Sequence, residues 1–414
     1  MTWTYHAMRA TTRQWLHREL PLSDVRLSPA LSGPYSLKAR IEPEYGDLIG
    51  DDGELVLSEW GTLVFAEASG QIRGGGIVTD TKIVGQELDL TIDGFTAYPA
   101  DMPITSTLTW GGKTEGTTGA GVDPFDVVRA MWDHLQAQPD GDLGVTYTQN
   151  STPYRLGAWH NARRLDEDGE LDDDPKAVQD PPIPIDKVWD SKKGKKPTAA
   201  QGKDVYWRYR LPWWDAIDVS QKINELAKQV PFDWREHYAW ADSSKEDVVM
   251  ELHLGYPRLG KRQSNLTFVE GENVTGLVPI NRDGSDYYNT VYGFGSGEGS
   301  KQLRQSVSHR DGRLRRVKVE GRPEVSNKAA LRAIAQDELL RTLHLADITQ
   351  FVVVDHPNAS IGSFDVGDDV LVENRRGWQP TRLWVRITGF DYQPETGEIT
   401  VKCSRSDRFR YGGA

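Results

Sequence analysis

Few residues in this chain have the type and spacing to do chemistry. Asp166, Asp168 and Glu170 put carboxylates at alternate positions around Gly169, as the opening of a calcium loop does. The closing bidentate glutamate of such a loop is missing, and Leu171 runs on into Asp172–Asp174. These three acids therefore stand as weak metal candidates in a stretch that reads first as a solvated loop. Gly255–Arg262 (GYPRLGKR) has the glycines and lysine of a phosphate-binding loop, but Arg262 holds the hydroxyl position and Pro257 removes a backbone donor. Gly112-Lys113-Thr114 has the ending of such a loop without its first glycine, and both stretches are read as turns. The run Gly293–Gly299 (GFGSGEG) has Glu298 where a dinucleotide fingerprint needs its third glycine, so it reads as a loop after a strand.

The nine histidines show no HExxH or comparable metal spacing, and no serine lies in a GxSxG elbow. Cys403 is the single cysteine, which excludes an intrachain disulfide and a multi-cysteine metal site. Its place in EITVKCS suits a buried small hydrophobe rather than a nucleophile. No catalytic residue, no cofactor and no enzymatic activity are expected. Tryptophan is the unusual count: fourteen, six of them between Trp189 and Trp240, with Trp213 and Trp214 adjacent. Indole rings stack on sugars, anchor protein interfaces or fill a core, and all three uses stay open. Trp213 and Trp214 are the candidate partner contacts.

The elements around these residues follow from apolar periodicity. In Ser36–Glu42 Leu37, Ala39 and Ile41 alternate with polar residues, and Leu88, Leu90 and Ile92 do the same in Leu88–Asp93, so both are strands with one buried face. GTLVFAEASG and GIVTDTKIVG supply further short strands, with Gly74-Gly75-Gly76 as a bend or bulge between them. Asp123-Pro124 opens a helix with Phe125, Val128, Met131, Trp132 and Leu135 on one side. A second helix is expected over about 216–230, and a third over about 326–344, capped by Ser326. The last sixty residues read as strands (QFVVVDH, DDVLVEN, RLWVRITGF, EITVKCS) with a hairpin turn at PETGE.

The spacing thus predicts a mainly β protein with an α+β middle: a β-rich N-terminal segment over 1–105 that suits a small barrel or sandwich, a mixed middle over 106–286, and a second β-rich segment over 287–414. The stretch 165–202, with an acidic run, a proline cluster and the basic run Lys192–Lys196, offers little to bury and is read as a polar surface insertion. The whole chain, 414 residues at net charge −12, has a soluble composition, no bilayer-spanning apolar run and no signal peptide. With acids in excess of bases, a basic nucleic-acid footprint is not the default expectation.

Four places resemble one family, the tail-tip (baseplate) hub or minor tail proteins of long-tailed phages, of the type found in phages of actinobacteria. Asp24–Phe65 is similar to the family's opening barrel, and Ile92–Ile104 (IDGFTAYPADMPI) resembles the exit from it. Asn289, Val291, Gly295, Gly297, Glu298 and Gly299 match an N-x-V-x-x-x-G-x-G-E-G strand and loop. Phe364–Cys403 resembles the terminal barrel hairpins, with a GD-x-V-x-V start and an R-I-x-G strand. The insertion and the tryptophan-rich segment have no counterpart.

The resemblance implies assembly. It implies a homotrimeric ring in which two similar small β-barrels per chain, over 1–105 and 287–414 and joined by the helix-containing middle, face a sixfold tail tube, with tape-measure and peripheral receptor-binding proteins as further partners. DNA would pass through the lumen during ejection, without stable membrane insertion. Such a protein is assembled in the host cytoplasm and resides at the virion tail tip. A carbohydrate-binding adhesin and a cell-wall glycan hydrolase of the same tail tip are the alternatives.

Overall fold

The structure is a computed structural model of the chain. It describes residues 2–42, 49, 55–85, 87–114, 121–157, 183–184, 205–230, 232–323, 325, 328–354, 356–357, 359–360, 362–375 and 380–408. It is mainly β, 46% strand against 15% helix, and divides into two compact units. The first is Met1–Leu259 with Asp391–Thr396, and the second is Gly260–Phe390 with Gly397–Ala414. Among the described residues no helix is long and apolar enough to cross a membrane.

The first unit opens with strands β1 (Trp3–Arg9), β2 (Trp15–His17), β3 (Leu22–Ser28), β4 (Ser36–Ile41), β5 (Thr62–Ala68), β6 (Gln71–Val84) and β7 (Glu87–Asp93). They form an antiparallel sheet in the order β3-β4-β7-β6-β5-β1-β2. Register sets Leu37 opposite Ile92 and Ala39 opposite Leu90, and all four are buried, as period-two alternation requires. The glycine triplet departs from expectation. It lies inside β6, paired to Ala66, Phe65 and Val64, and not between strands. The bulge falls beside it, where the register shifts between Ala66 and Glu67. Glycine is needed there because Tyr35 packs onto residue 74 and the Asp93 carbonyl onto residue 76.

Next come β8 (Leu108–Thr114), helix α1 (Pro124–Gln136), β9 (Val145–Tyr147), a two-residue pair β10 (Tyr154–Arg155) with β11 (Ile183–Pro184), β12 (Val205–Leu211), α2 (Val219–Gln229), β13 (Asp233–Trp240) and β14 (Val248–Gly255). β13-β14-β9 is a small sheet, and β12 pairs with β8. Helix α1 starts where Asp123-Pro124 places it, and Phe125, Val128, Met131, Trp132 and Leu135 are all buried. Asp123 accepts from the Phe125 nitrogen at 2.9 Å, the Thr152 nitrogen at 2.8 Å and Arg155 Nη1 at 2.9 Å. Burial raises its pKa, and these donors counter the rise. An Asp123→Ala variant forfeits the cap and leaves the Thr152 nitrogen without its acceptor, while Arg155 keeps the Thr152 and Tyr154 carbonyls. We expect a loss of about 2–3 kcal/mol in chemical unfolding. An unchanged midpoint would show the cap to be dispensable.

The second unit holds β15 (Arg262–Val269), β16 (Val274–Thr275), β17 (Asn281–Arg282), β18 (Thr290–Phe294), β19 (Arg304–Ser308), β20 (Val317–Gly321), α3 (Lys328–Thr342), β21 (Ala346–Asp347), β22 (Gln350–Val354), β23 (Asp369–Asn374), most of β24 (Thr381–Gln393) and β25 (Glu398–Arg405). One sheet runs β16-β22-β25-β24-β23-β15, and a second, β19-β18-β20, carries α3 on one face. Val291 and Val307 pack against Ala335, Leu339 and Leu343. Residue 326, the expected cap, lies outside the described residues. Cys403 is buried in β25, and burial pushes its thiol pKa up, so it is inert packing.

The two expected barrels are not what the ladders draw. Among the described residues no set of strand pairings closes on itself. Alternation in sequence specifies a half-buried strand but not how a sheet ends.

Candidate functional site

Trp213 and Trp214 sit where β12 stops. Pro212 cannot continue a ladder, and the chain turns through a short 3₁₀ segment, Trp213–Asp215. Ala216 then takes a left-handed φ of 46°, after which Asp218 caps α2 through the Gln221 nitrogen at 2.6 Å. Both flanks are thus pinned, and the indoles between them project outward, 57% and 54% exposed. Their ring centroids are 6.0 Å apart at 82°, an edge-to-face pair, and the Arg210 guanidinium lies 5.0 Å from the Trp214 ring. A rigid, exposed, arginine-flanked aromatic pair is the composition of an interface anchor.

Neighbouring tryptophans do other work. Trp132 and Trp234 are buried, and Trp240 joins Trp15 and His6 in a cluster with centroids 5.4–5.8 Å apart. The tryptophan-rich segment is thus divided between core and surface.

The remaining candidates separate. Asp166, Asp168 and Glu170 lie outside the described residues. Among the described residues no group of three or more His, Cys, Asp or Glu side chains has metal-binding geometry. Gly112-Lys113-Thr114, expected as a turn, is strand β8 paired to Val205–Trp207. GYPRLGKR does turn: Gly260 has φ +81° and packs on the backbone of Gly367. The Gly293–Gly299 run is the end of β18 and the loop after it, and Gly293 lets Leu331 of α3 come close.

One group went unnoticed in the sequence. The Glu236 carboxyl in β13 accepts from the Thr96 nitrogen at 2.7 Å, Tyr238 Oη at 2.7 Å and the Tyr35 nitrogen at 3.2 Å, and also from the Thr96 hydroxyl. Burial lifts its pKa to about 7, against the downward pull of these donors. A carboxyl titrating near neutrality suggests a general acid. Here every oxygen is engaged by the protein and no lone pair is directed at a cleft, so Glu236 is a clasp holding Thr96 and Tyr35 to β13. Only the alternation in WREHYAW hints at it, and that fixes a face, not a partner.

No protein-family model and no curated protein matches the chain. Solved structures do. The fold is similar to the 43 kDa tail protein of prophage MuSo2 from Shewanella oneidensis, with TM-score 0.56, 10% identity, and 98% of this chain and 99% of that one covered. It is similar to the tail protein from Neisseria meningitidis MC58, with TM-score 0.50, 13% identity and 98% of each chain covered. A prophage tail protein from Listeria monocytogenes EGD-e gives TM-score 0.50 at 9% identity, over 98% of this chain and 95% of that one. At such low identity the likeness is one of fold: over nearly its whole length this chain is built like phage tail proteins.

Proposed function

We propose that the chain is a structural protein of a phage tail, a hub at the tail tip of the virion. The observation that carries the reading is the extent of the likeness, 98% of this chain against 95–99% of three tail proteins. In this reading three copies close a ring joined to the tail tube, the tape-measure protein and peripheral tip proteins, and DNA leaves through its lumen. Two β-rich units per chain would give six similar positions around a threefold axis, which suits a sixfold tube. The role is mechanical and needs no catalytic group.

Light scattering on the purified protein, with negative-stain images of the same peak, tests it. A threefold ring of about three chain masses is the expected result. A monomer at every concentration that also releases sugar from purified peptidoglycan would overturn the hub reading in favour of the hydrolase.

Trp213 and Trp214 serve in this reading as an outward anchor for a tip protein. Both are more than half exposed, so Trp213→Ala and Trp214→Ala leave the fold intact. Each is expected to weaken that partner's binding by roughly thirtyfold, about 2 kcal/mol. Assembly with every tail partner at wild-type affinity would refute the assignment. Quenching of tryptophan fluorescence by cell-wall sugars, lost in the same variants, would instead favour the adhesin.

A further inference from the structure

In an acidic chain, residues 287–322 stand out with eight Lys/Arg against three Asp/Glu. They build the sheet β19-β18-β20 of the second unit. Helix α3 covers one face, where Val291 and Val307 meet Ala335 and Leu339 and Lys318 pairs with Glu338 at 2.6 Å. Alternation sends Tyr292, Val317, Val319 and Arg304 to the opposite face. Val317 and Val319 are 40% and 64% exposed there. The Tyr292 ring has Arg304 at 5.9 Å and Arg315 at 5.7 Å, and Arg315 Nη2 donates to the phenol oxygen at 2.8 Å. Neither guanidinium has a carboxylate partner among the described residues.

β20 is also an edge. On its inner side the Thr290 nitrogen donates to the Arg316 carbonyl, and the Arg322 nitrogen donates to the Phe294 carbonyl. In a parallel ladder this parity turns the backbone of residues 318 and 320 inward too. It leaves the N–H and C=O groups of Val317, Val319 and Gly321 pointing outward. No strand lies beside them among the described residues.

We propose that β20 is a strand-addition site for an acidic, extended segment of another protein. The outward backbone groups would extend the sheet by main-chain hydrogen bonds, Val317 and Val319 would pack against alternate side chains of the incoming strand, and Arg304 and Arg315 would meet its carboxylates. A polypeptide fits this edge better than nucleic acid does, because the edge presents carbonyls as well as N–H groups and a phosphodiester can only accept. A second β20 fits less well, since it would bring two basic edges together. The site stands independently of the tail assignment.

The test uses the full chain and a fluorescein-labelled synthetic peptide alternating valine with aspartate, read by anisotropy. Saturable binding is expected, weakened by salt. Val319→Pro deletes an outward N–H without removing a bond to β18, a place where an edge strand tolerates proline, and should cut affinity about tenfold or more. Val319→Asp, on an exposed position, should do the same by charge repulsion and serves if the proline variant misfolds. Absence of binding to the wild type overturns the proposal. So does peptide affinity unchanged in a folded variant, or displacement of the peptide by single-stranded DNA of equal charge.

Discussion

Glu236→Ala is expected to destabilise the first unit by about 4 kcal/mol, seen as a drop in the urea midpoint. The change leaves the Thr96 nitrogen and hydroxyl, the Tyr35 nitrogen and the Tyr238 hydroxyl without the acceptor they share. Each buried donor left unmet costs about 1–3 kcal/mol, less whatever water recovers. Glu236→Gln keeps an acceptor for Thr96, but its amide nitrogen accepts from neither the Tyr35 nitrogen nor the Tyr238 hydroxyl and can only donate back to Tyr238 Oη. Its cost at pH 8 is therefore about 1–2 kcal/mol. The two differ further in pH dependence. Burial raises the folded pKa from its ordinary 4.5 to about 7, so between those values the folded state holds a proton that the unfolded chain has released. The stabilisation is complete below pH 4.5 and fades as pH rises through 7, at about 1.4 kcal/mol per unit and roughly 3 kcal/mol in all. Glu236→Gln has no such proton. Its stability relative to wild type should therefore climb from pH 4.5 to 7 and then level off. Parallel curves for the two proteins would mean that the carboxyl is not held in a desolvated site.

How far the sequence could be read depended on whether each signal was local. The alternation of Leu37, Ala39 and Ile41 and the dipeptide Asp123-Pro124 act within a few residues, and the strand and helix stand where those residues put them. VYWRYRL carries equal alternation, Val205, Trp207, Tyr209 and Leu211 against Tyr206, Arg208 and Arg210. It forms β12, whose partner β8 lies about ninety residues upstream, so no local turn marks the pairing. Gly112-Lys113-Thr114 looked like a turn because nothing nearby announces its partner, which lies about ninety residues on. The Glu236 clasp is less local still: Thr96 and Tyr35 come from 140 and 201 residues away. Exposure at Trp213 and Trp214 depends on Pro212 ending a strand and on a left-handed Ala216, which composition does not encode. The barrels failed for the related reason that closure depends on strand number and stagger, summed over the whole sheet.

Gly76→Ala is expected to cost about 3–5 kcal/mol, enough to unfold the opening sheet under mild denaturant. A Cβ at residue 76 would overlap the Asp93 carbonyl and stand 2.8 Å from the Gly94 nitrogen. These are backbone atoms, so no rotamer change makes room. Nor can β6 shift, because β5 holds residue 76 against Val64 on one side and β7 pairs Ile77 with Asp93 on the other. Displacing β7 would pull on Gly94, whose nitrogen donates to the Tyr35 carbonyl at 2.7 Å, and so on the segment that Glu236 clasps. Gly85 is the control. Unlike Gly76 it has a positive φ, 65°, and nothing lies within 4 Å of its would-be Cβ. Gly85→Ala therefore meets only left-handed backbone strain, about 1–2 kcal/mol. Equal losses at the two sites would mean that conformational freedom, and not the close approach of β7, is what selects glycine in β6. A loss at residue 76 at least twice that at residue 85 places the requirement in the packing of three adjacent strands.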